Sequence, residues 1–270
     1  MLKQRVITAL VLVAVLLIVM LVLPSIATIW LVTVLVLVGA WEWAAFVGKG
    51  GNGARAGFTL AIAAALFACL YFYSPEFVRV VMTIAMVWWI VAFLWVCLAP
   101  ARVHPVAAAL AGLFSLVPCW LALVYVTFTT GSTYWALFTL ALVWAADTGA
   151  FFAGRWLGRV PLAPRVSPKK TWEGVIGGVM TSGLVAWIGA TWLGNYLPVR
   201  EVWPFVGTCI AVAALSIVGD LTESLLKRAV GLKDSGSVFP GHGGMLDRID
   251  SVTAAAPALV FALIALEAIP

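Results

Sequence analysis

Long apolar runs without Asp, Glu, Lys or Arg dominate the chain and predict membrane-spanning helices. Because a bilayer's hydrocarbon core is about 30 Å thick and takes roughly 20 helical residues, the two longest runs must each hold two helices joined by a turn. Pro24-Ser25 supplies a turn in the first, and the segment 129–133, Thr-Thr-Gly-Ser-Thr, supplies one in the second. The runs that lack Asp, Glu, Lys and Arg are 6–41, 56–75, 80–101, 103–146, 174–199, 202–219 and 251–266.

These runs predict an all-α, polytopic integral membrane protein with about nine transmembrane helices. Backbone groups in lipid must pair internally, and spans this long and continuously apolar do so as helices rather than as barrel strands. The first span follows two basic residues like a signal peptide, but its apolar run is too long and further spans follow at once, so we expect it to be retained. The predicted spans are 6–23, 26–46, 56–73, 77–99, 106–127, 133–153, 173–194, 203–226 and 250–268.

Basic residues predict the orientation of the spans. With the N-terminus in the cytoplasm, all of the 16 Lys and Arg residues except Arg79 and Arg200 fall on the cytoplasmic side. The positive-inside rule therefore predicts an N-in, C-out topology. An even number of spans would spoil the alternation, which also favours nine.

Composition narrows the class of protein further. Hydrophobic residues make up 64% of the chain and charged residues 10%, with a mean hydropathy of +1.12. An average soluble domain carries roughly a quarter charged residues, so disorder, a disulfide scaffold and an ordinary cytosolic enzyme are excluded. The net charge of +5 fits anionic lipid headgroups or a phosphorylated substrate; there is no nucleic-acid motif. The cysteines lack CxxC spacing and nearby histidines, which favours packing over zinc or disulfides: Cys69, Cys97, Cys119 and Cys209.

Charge is concentrated in the second half of the chain. Residues 1–140 hold 8 charged side chains and residues 141–270 hold 19. We therefore predict one continuous membrane domain with an N-terminal scaffold of about five helices, 1–140, and a C-terminal catalytic region, 141–270. The apolar first half could also supply a homodimer interface. Glu42, between two tryptophans at the inner end of the second span, is interpreted as an interfacial acid that snorkels to water.

Two of the three charged clusters in the second half lie at or near the ends of predicted helices. Asp147 lies inside the sixth span, and an intramembrane carboxylate needs a cation or hydrogen-bond partner, either in a functional site or in a structural pair with Arg155 or a neighbouring helix. Lys169 and Lys170 lie in a loop before a helix that Thr171 can cap, so the two ammonium groups and the free N–H groups there favour an anion. Taken alone, the lysine pair is more often a positive-inside anchor than a phosphate site.

The third cluster, 219–250, combines helical acids with a glycine-rich loop. Asp220, Glu223, Ser224 and Lys227 recur at i, i+3, i+4 and i+7, which places them on one stripe of the eighth span. Phosphoryl and nucleotidyl transfer use Mg²⁺ and cationic side chains to hold phosphate, and glycines let backbone N–H groups approach it. Asp220 and Asp247 are the predicted Mg²⁺ ligands. A solvated loop with internal ion pairs is the alternative, but it does not explain acids that begin inside apolar spans.

The same residues resemble the phosphatidate cytidylyltransferase family, also called CDP-diacylglycerol synthases. The resemblance covers residues 147–250 and includes the runs around Asp147 and Lys169-Lys170. Its most specific part has many fixed positions in 27 residues: Ser224-x-Leu226-Lys227-Arg228, then Lys233-Asp234-x-Gly236, then Phe239-Pro240-x-His242-Gly243-Gly244-Met245-x-Asp247-Arg248-Ile249-Asp250.

The resemblance implies that CTP and phosphatidate react to give CDP-diacylglycerol and pyrophosphate on the cytoplasmic side of a bacterial inner membrane. Asp220 and Asp247 would be the catalytic, Mg²⁺-binding acids, with a second cation left open, and Asp147 and Glu223 are further candidates. Lys169 and Lys170 would meet the phosphatidate headgroup. The remaining substrate-binding residues would be Ser224, Lys227, Arg228, Lys233, Asp234, His242, Gly243, Gly244, Arg248 and Asp250, among which Asp234 and Asp250 could order the loop.

Three other functions can be compared with the features of the sequence. A secondary transporter should show midplane charges, broken helices and two-half symmetry, none of which the sequence displays. A structural or assembly factor has no need to gather acids and cations on one face. A CTP-dependent enzyme acting on another membrane lipid, such as a polyprenol kinase, is the nearest alternative.

Overall fold

The computed structural model describes residues 2–48, 51–98, 102–129, 133–192, 202–238 and 243–269. Within these ranges the chain forms nine α-helices and one antiparallel β-hairpin. The helices are α1 (Leu2–Val22), α2 (Ser25–Val47), α3 (Asn52–Tyr71), α4 (Pro75–Leu98), α5 (Pro105–Thr129), α6 (Tyr134–Leu157), α7 (Trp172–Trp192), α8 (Val202–Ala229) and α9 (Leu246–Ala265). The strands β1 (Pro161–Ala163) and β2 (Ser167–Thr171) lie between α6 and α7.

Each helix coincides with one predicted span, and no helix end differs from its prediction by more than four residues. Among the described residues, eight helices are long and apolar enough to cross a membrane by length and composition. In α1 the qualifying apolar part, Val13–Val22, is shorter. The chain is therefore a predominantly helical, multi-pass membrane protein, with eight such helices where about nine spans were predicted.

The predominantly helical structure agrees with the all-α prediction, but a short β-hairpin replaces the loop predicted before α7. Proline at 161, 164 and 168 removes backbone donors and disfavours helix, so this connection pairs as short strands instead. Pro161 lies opposite Thr171, and Ala163 lies opposite Ser167. At the turn Val166 is buried against α4 and α8, beside Val96, Leu221 and Leu225. This packing holds the lysine-bearing strand β2 over α8.

The centre of the bundle is formed by α5 and α9, and lipid-facing surface is provided chiefly by α3 and α4. In the most apolar windows, 67% of the residues of α5 and of α9 are buried, against 17% in α3 and 28% in α4. Trp120 and Tyr125 of α5 are almost fully buried. Outward-facing apolar side chains are expected of a helix in lipid, so the exposed faces of α3 and α4 agree with a bilayer environment.

Three of the four cysteines pack inside the bundle, as predicted. Cys69, Cys119 and Cys209 are buried, and all four thiols are free. Cys97 is exposed on α4, so the packing prediction is wrong for this residue. Its position facing outward could not be derived from an apolar run that is uniform around the helix.

Helices α6 and α7 pack with their backbones almost in contact. A Cβ added to Gly149 would overlap Thr181 Oγ1 and lie 2.6 Å from the carbonyl oxygen of Gly177, and one added to Gly178 would lie 2.7 Å from that of Ala146. The Thr181 hydroxyl also donates a hydrogen bond to Ala145 O at 2.7 Å. Small residues and hydroxyl bonds of this kind drive helix association in membranes. The close approach fixes where Asp147, next to Ala146, meets α7.

We expect Gly149→Ala to lower stability even though alanine favours a helix. The new methyl group would meet backbone that cannot yield without separating α6 from α7, and overpacking of this kind costs about 1–3 kcal/mol. The matched control is Gly207→Ala on α8, where no atom lies within 4 Å of the added Cβ. Thermal unfolding in detergent should show a lower midpoint for the first variant only; equal midpoints would mean that the α6–α7 contact tolerates a methyl group.

A similar contact brings α8 against α9. A Cβ added to Gly219 would lie 2.6 Å from the carbonyl oxygen of Asp250. Since Asp220 follows Gly219 directly, this contact sets the acids of α8 beside those at the start of α9. The C-terminal part of α8, the start of α9, the end of α2 and the β-hairpin thus lie at one end of the bundle, which we call the polar end.

Candidate active site

The first part of the polar end is a cavity of about 500 Å³ between α6, α7, α8 and the hairpin. Apolar side chains such as Phe151 and Val179 line one part of it. Its charged lining residues are Asp147, Arg155, Lys169, Lys170 and Asp220. The cavity therefore offers acidic and basic groups next to an apolar wall, which is the chemistry needed to hold a charged headgroup attached to a hydrocarbon chain.

Strand β2 and the start of α7 position the two lysines as the sequence predicted. Thr171 Oγ1 accepts a hydrogen bond from Gly174 N at 3.2 Å and so caps the first turn of α7. Lys170 Nζ lies 2.6 Å from Asp220 Oδ2, whereas Lys169 is exposed. The hairpin thus brings a lysine onto an acid that lies 50 positions further along the chain, a pairing that periodicity alone did not predict.

Asp147 lies in the same cavity, ten residues before the end of α6. Ion pairs at the polar end join Lys170 to Asp220 and Lys227 to two acids. Asp147 and Arg155 both line the cavity, but the structural pair considered for them is not formed. Asp147 instead interacts electrostatically with Asp220 and Lys170.

The second part of the polar end is a buried line of carboxyls and one lysine. Lys227 Nζ donates to Glu223 Oε2 at 2.8 Å and to Asp247 Oδ1 at 2.6 Å. One turn earlier, the Ser224 hydroxyl donates to Asp220 Oδ1 at 3.3 Å. The predicted stripe on α8 therefore exists, and Lys227, expected to hold phosphate, is buried between two acids in this structure.

Asp250 connects the two parts of the polar end. Its side chain lies close to those of Glu223, Asp220 and Lys170, and Asp250 Oδ1 accepts a hydrogen bond from Ser251 N at 2.6 Å. Asp250 therefore lies near the acids of α8, and the ordering of the loop by Asp250 stays a prediction.

The glycine turn surrounds Asp247 and provides its hydrogen bonds. Asp247 Oδ2 accepts from Gly244 N at 2.8 Å and from Ser235 N at 3.0 Å, and it lies 3.0 Å from the Ser235 hydroxyl oxygen. Gly243 has φ +83°, in the left-handed region, and a Cβ there would lie 2.6 Å from Asp247 Oδ2. The N–H group of Gly244, predicted to face phosphate, therefore faces a carboxylate here.

The remaining predicted residues lie at the edge of the site. Arg228, Lys233 and Asp234 are exposed, and Arg228 Nη1 donates to Leu232 O at 3.3 Å. Arg248 is exposed and lines a separate apolar groove of about 280 Å³ between α1, α2, α5, α6 and α9. His242 lies outside the described residues.

The contacts of two residues at the polar end, Glu42 and Ser235, were not predicted from the sequence. Glu42 of α2 is 3% exposed and accepts hydrogen bonds from the Ser235 hydroxyl at 2.9 Å and from Leu246 N at 2.8 Å. The interpretation of Glu42 as a snorkelling acid is therefore wrong. An acid inside an otherwise apolar span was the available signal, but its flanking tryptophans are also typical of a membrane interface.

The carboxylate oxygens at the polar end are chemically suitable ligands for a hard cation. Oxygen ligands are those that Mg²⁺ prefers. Glu223 Oε1 is buried without a hydrogen-bond partner among the described residues, and the buried line holds more carboxyls than ammonium groups. No group of three or more His, Cys, Asp or Glu side chains in the described ranges is arranged as a metal site. The acids predicted as ligands, Asp220 and Asp247, are each paired with a lysine instead.

The sequence of this helical membrane protein matches a known family of enzymes. The model of the cytidylyltransferase family matches residues 3–266, and the chain belongs to that family. The chain is 38% identical over 261 residues to the phosphatidate cytidylyltransferase of Pseudomonas aeruginosa, covering 95% of both chains. It is 36% identical over 278 residues to the phosphatidate cytidylyltransferase of Haemophilus influenzae, covering 95% of this chain and 96% of that protein. These matches confirm the resemblance and extend it from residues 147–250 to nearly the whole sequence.

Proposed function

We propose that this protein is a phosphatidate cytidylyltransferase. It transfers the cytidylyl group of CTP to phosphatidate, giving CDP-diacylglycerol and pyrophosphate for phospholipid synthesis. The observation that carries the proposal is the polar end itself, where membrane helices bring Lys170 onto Asp220 and Lys227 onto Glu223 and Asp247 at the end of an apolar bundle. A water-soluble nucleotide and a lipid phosphate can meet only at such a boundary between membrane and water.

The reaction needs positioning and charge neutralisation more than covalent chemistry. A phosphate oxygen of phosphatidate attacks the α-phosphorus of CTP, and the bond from that phosphorus to the bridging oxygen of the β-phosphate breaks. Pyrophosphate leaves with the electron pair. Basic side chains that hold both substrates in line lower the barrier by orienting them and by compensating the charge of the phosphates.

Lysines of the hairpin are assigned to the lipid substrate. Lys169 and Lys170 lie in the cavity between α6, α7 and α8, with the apolar wall provided by residues such as Phe151. A phosphate there is within reach of both ammonium groups, while the acyl chains remain in lipid along the groove. Arg228 and Lys233, exposed at the end of α8 and in the loop after it, and Arg248, exposed on the first turn of α9, are assigned to the triphosphate of CTP.

Asp220 and Asp247 are the residues proposed to hold Mg²⁺. When bound, Mg²⁺ supplies positive charge to phosphate oxygens of the nucleotide. The same carboxylates now pair with Lys170 and Lys227, so a cation held there would take the place of these ammonium groups, and the lysines would lie close enough to hold phosphate.

The site is proposed to face the cytoplasm of a bacterial inner membrane, with the N-terminus inside and the C-terminus outside. The distribution of Lys and Arg supports this orientation, since the polar end carries most of the basic residues. CTP is available on that side. The homodimer predicted from the apolar first half stays a prediction, which the mass of the detergent-solubilised protein would test.

Turnover assays on the purified protein distinguish this function from its rivals. Supplied with CTP and phosphatidate, the protein should form a liponucleotide and one pyrophosphate per product. Release of CDP with a polyprenol substrate would instead indicate a lipid kinase. Absence of CTP turnover with every lipid tested would contradict the proposal and favour a transporter.

Lys169→Met should separate recognition of the lipid from recognition of the nucleotide. We expect the KM for phosphatidate to rise about tenfold, because a charge-assisted contact to the headgroup is lost, with the KM for CTP changed much less. Arg102→Met removes an exposed basic side chain outside the cavity and serves as the control. An unchanged KM for phosphatidate would remove Lys169 from the headgroup site.

A further inference from the structure

Glu42 connects the N-terminal scaffold to the loop that carries the acidic site. Its carboxylate is buried inside the bundle, where an ionised group persists only when donors compensate the lost hydration. The donors are the Ser235 hydroxyl and the N–H group of Leu246, the first residue of α9. One carboxylate thus holds both the loop after α8 and the start of α9.

Ser235 transmits this contact to Asp247. Its hydroxyl lies 2.9 Å from Glu42 Oε2 and 3.0 Å from Asp247 Oδ2, and its backbone N–H donates to the same Asp247 oxygen. A hydroxyl has one proton and can donate to only one carboxylate at a time. With Glu42 as the acceptor, the serine oxygen is free to accept from Asp247 N, which lies 3.3 Å away.

Two glycines of the loop are shaped around the Glu42 carboxylate. A Cβ added to Gly236 would overlap Glu42 Oε1, and one added to Gly244 would overlap Glu42 Oε2. Neither glycine has a positive φ, so the requirement is for space and not for an unusual backbone conformation. The loop therefore fits closely around a side chain that comes from 193 positions earlier in the chain.

We propose that Glu42 is a positioning residue for cytidylyl transfer. Through Ser235 and the N-terminus of α9 it sets the orientation of the Asp247 carboxylate, so part of the active-site framework comes from the first half of the chain. The expected effects on kcat rest on the proposed function. The link from Glu42 to the loop is a property of the fold and can be measured without substrate.

Glu42→Gln is the main test, because glutamine keeps the shape and one carbonyl acceptor while removing the charge. We expect kcat to fall about 10- to 100-fold, with the KM values for CTP and phosphatidate within about threefold of the wild type. The thermal midpoint should stay near that of Glu76→Gln, the matched control on the exposed start of α4. Wild-type kcat in Glu42→Gln would overturn the proposal.

Ser235→Ala provides an independent second variant if Glu42→Gln does not insert. Because part of the Glu42 effect passes through Ser235, the double variant should lose less activity than the product of the two single losses. If the fold losses in kcat of the two single variants multiply in the double variant, Glu42 acts independently of Ser235 and the proposed relay is overturned.

Hydrogen exchange supplies a readout that does not depend on turnover. In Glu42→Gln the amides of Ser235 and Leu246 should exchange at least several-fold faster than in the wild type, with the rest of α9 unchanged. Unaltered exchange at both amides would overturn the positioning role even if activity fell. Conversely, faster exchange in a protein that does not turn over CTP would refute the proposed function and leave the structural link standing.

Discussion

Asp247→Asn is expected to abolish cytidylyl transfer while the protein still folds and inserts. In the structure Asp247 accepts from Lys227 through one oxygen and from Ser235 and Gly244 through the other. The amide nitrogen of asparagine cannot accept a hydrogen bond, so one of these donors loses its partner. The neutral side chain is also a much weaker ligand for a divalent cation.

The expected loss in kcat for Asp247→Asn is on the order of 1000-fold, comparable to removal of a principal electrostatic group from an active site. Pyrophosphate release measures it, and membrane insertion and the elution profile show that the protein is intact. Asp220→Asn should behave alike, because its carboxylate pairs with Lys170 in the adjoining cavity. Glu267→Gln, exposed after α9, is the control. Near-normal turnover in either aspartate variant would remove that residue from the proposed metal site.

Lys227→Met should produce the largest loss of stability among single substitutions at the polar end. The lysine side chain is 10% exposed and its partner Glu223 only 2%, so removing the ammonium group leaves buried carboxylates without compensation. Breaking one side of a buried ion pair costs about 3–5 kcal/mol. The methionine fills a similar volume, so the effect isolates the charge.

A second substitution tests this explanation of the Lys227→Met loss. Glu223→Gln removes one of the two acids that lose their partner, so the double variant should recover part of the lost stability. Thermal midpoints in detergent, compared among the four proteins of the cycle, give the coupling between the two sites. A double variant that is as unstable as the sum of the two single changes would show that Lys227 stabilises the bundle by packing alone.

The helices were predictable because their signal is local. A charge-free run of about 20 residues has few alternatives to a membrane helix, and every helix lies within four residues of its predicted bounds. The stripe from Asp220 to Lys227 was predictable for the same reason, since residues three and four apart share a helix face. The hairpin was not predictable, because its two strands have three and five residues and are too short to show an alternating pattern of apolar and polar side chains.

Partners of charged side chains were not predictable from local patterns. Lys227 was expected to face phosphate and faces Glu223 and Asp247, and the glycine turn expected to cradle phosphate surrounds Asp247. Glu42 was expected at the membrane surface and lies 3% exposed against Ser235. Each of these positions depends on which helices are neighbours.

The amino-acid sequence by itself determined that this protein is a multi-pass helical membrane protein and which of its segments bear acids, lysines and glycines. Those properties follow from the cost of placing charges and unpaired backbone in lipid, which acts on each segment separately. Tertiary structure alone decided that Lys170 meets Asp220, that Asp250 lies between the acids of α8, and that Glu42 reaches the glycine loop. Such contacts join residues tens to hundreds of positions apart, and close packing of the helices at Gly149 and Gly219 determines them.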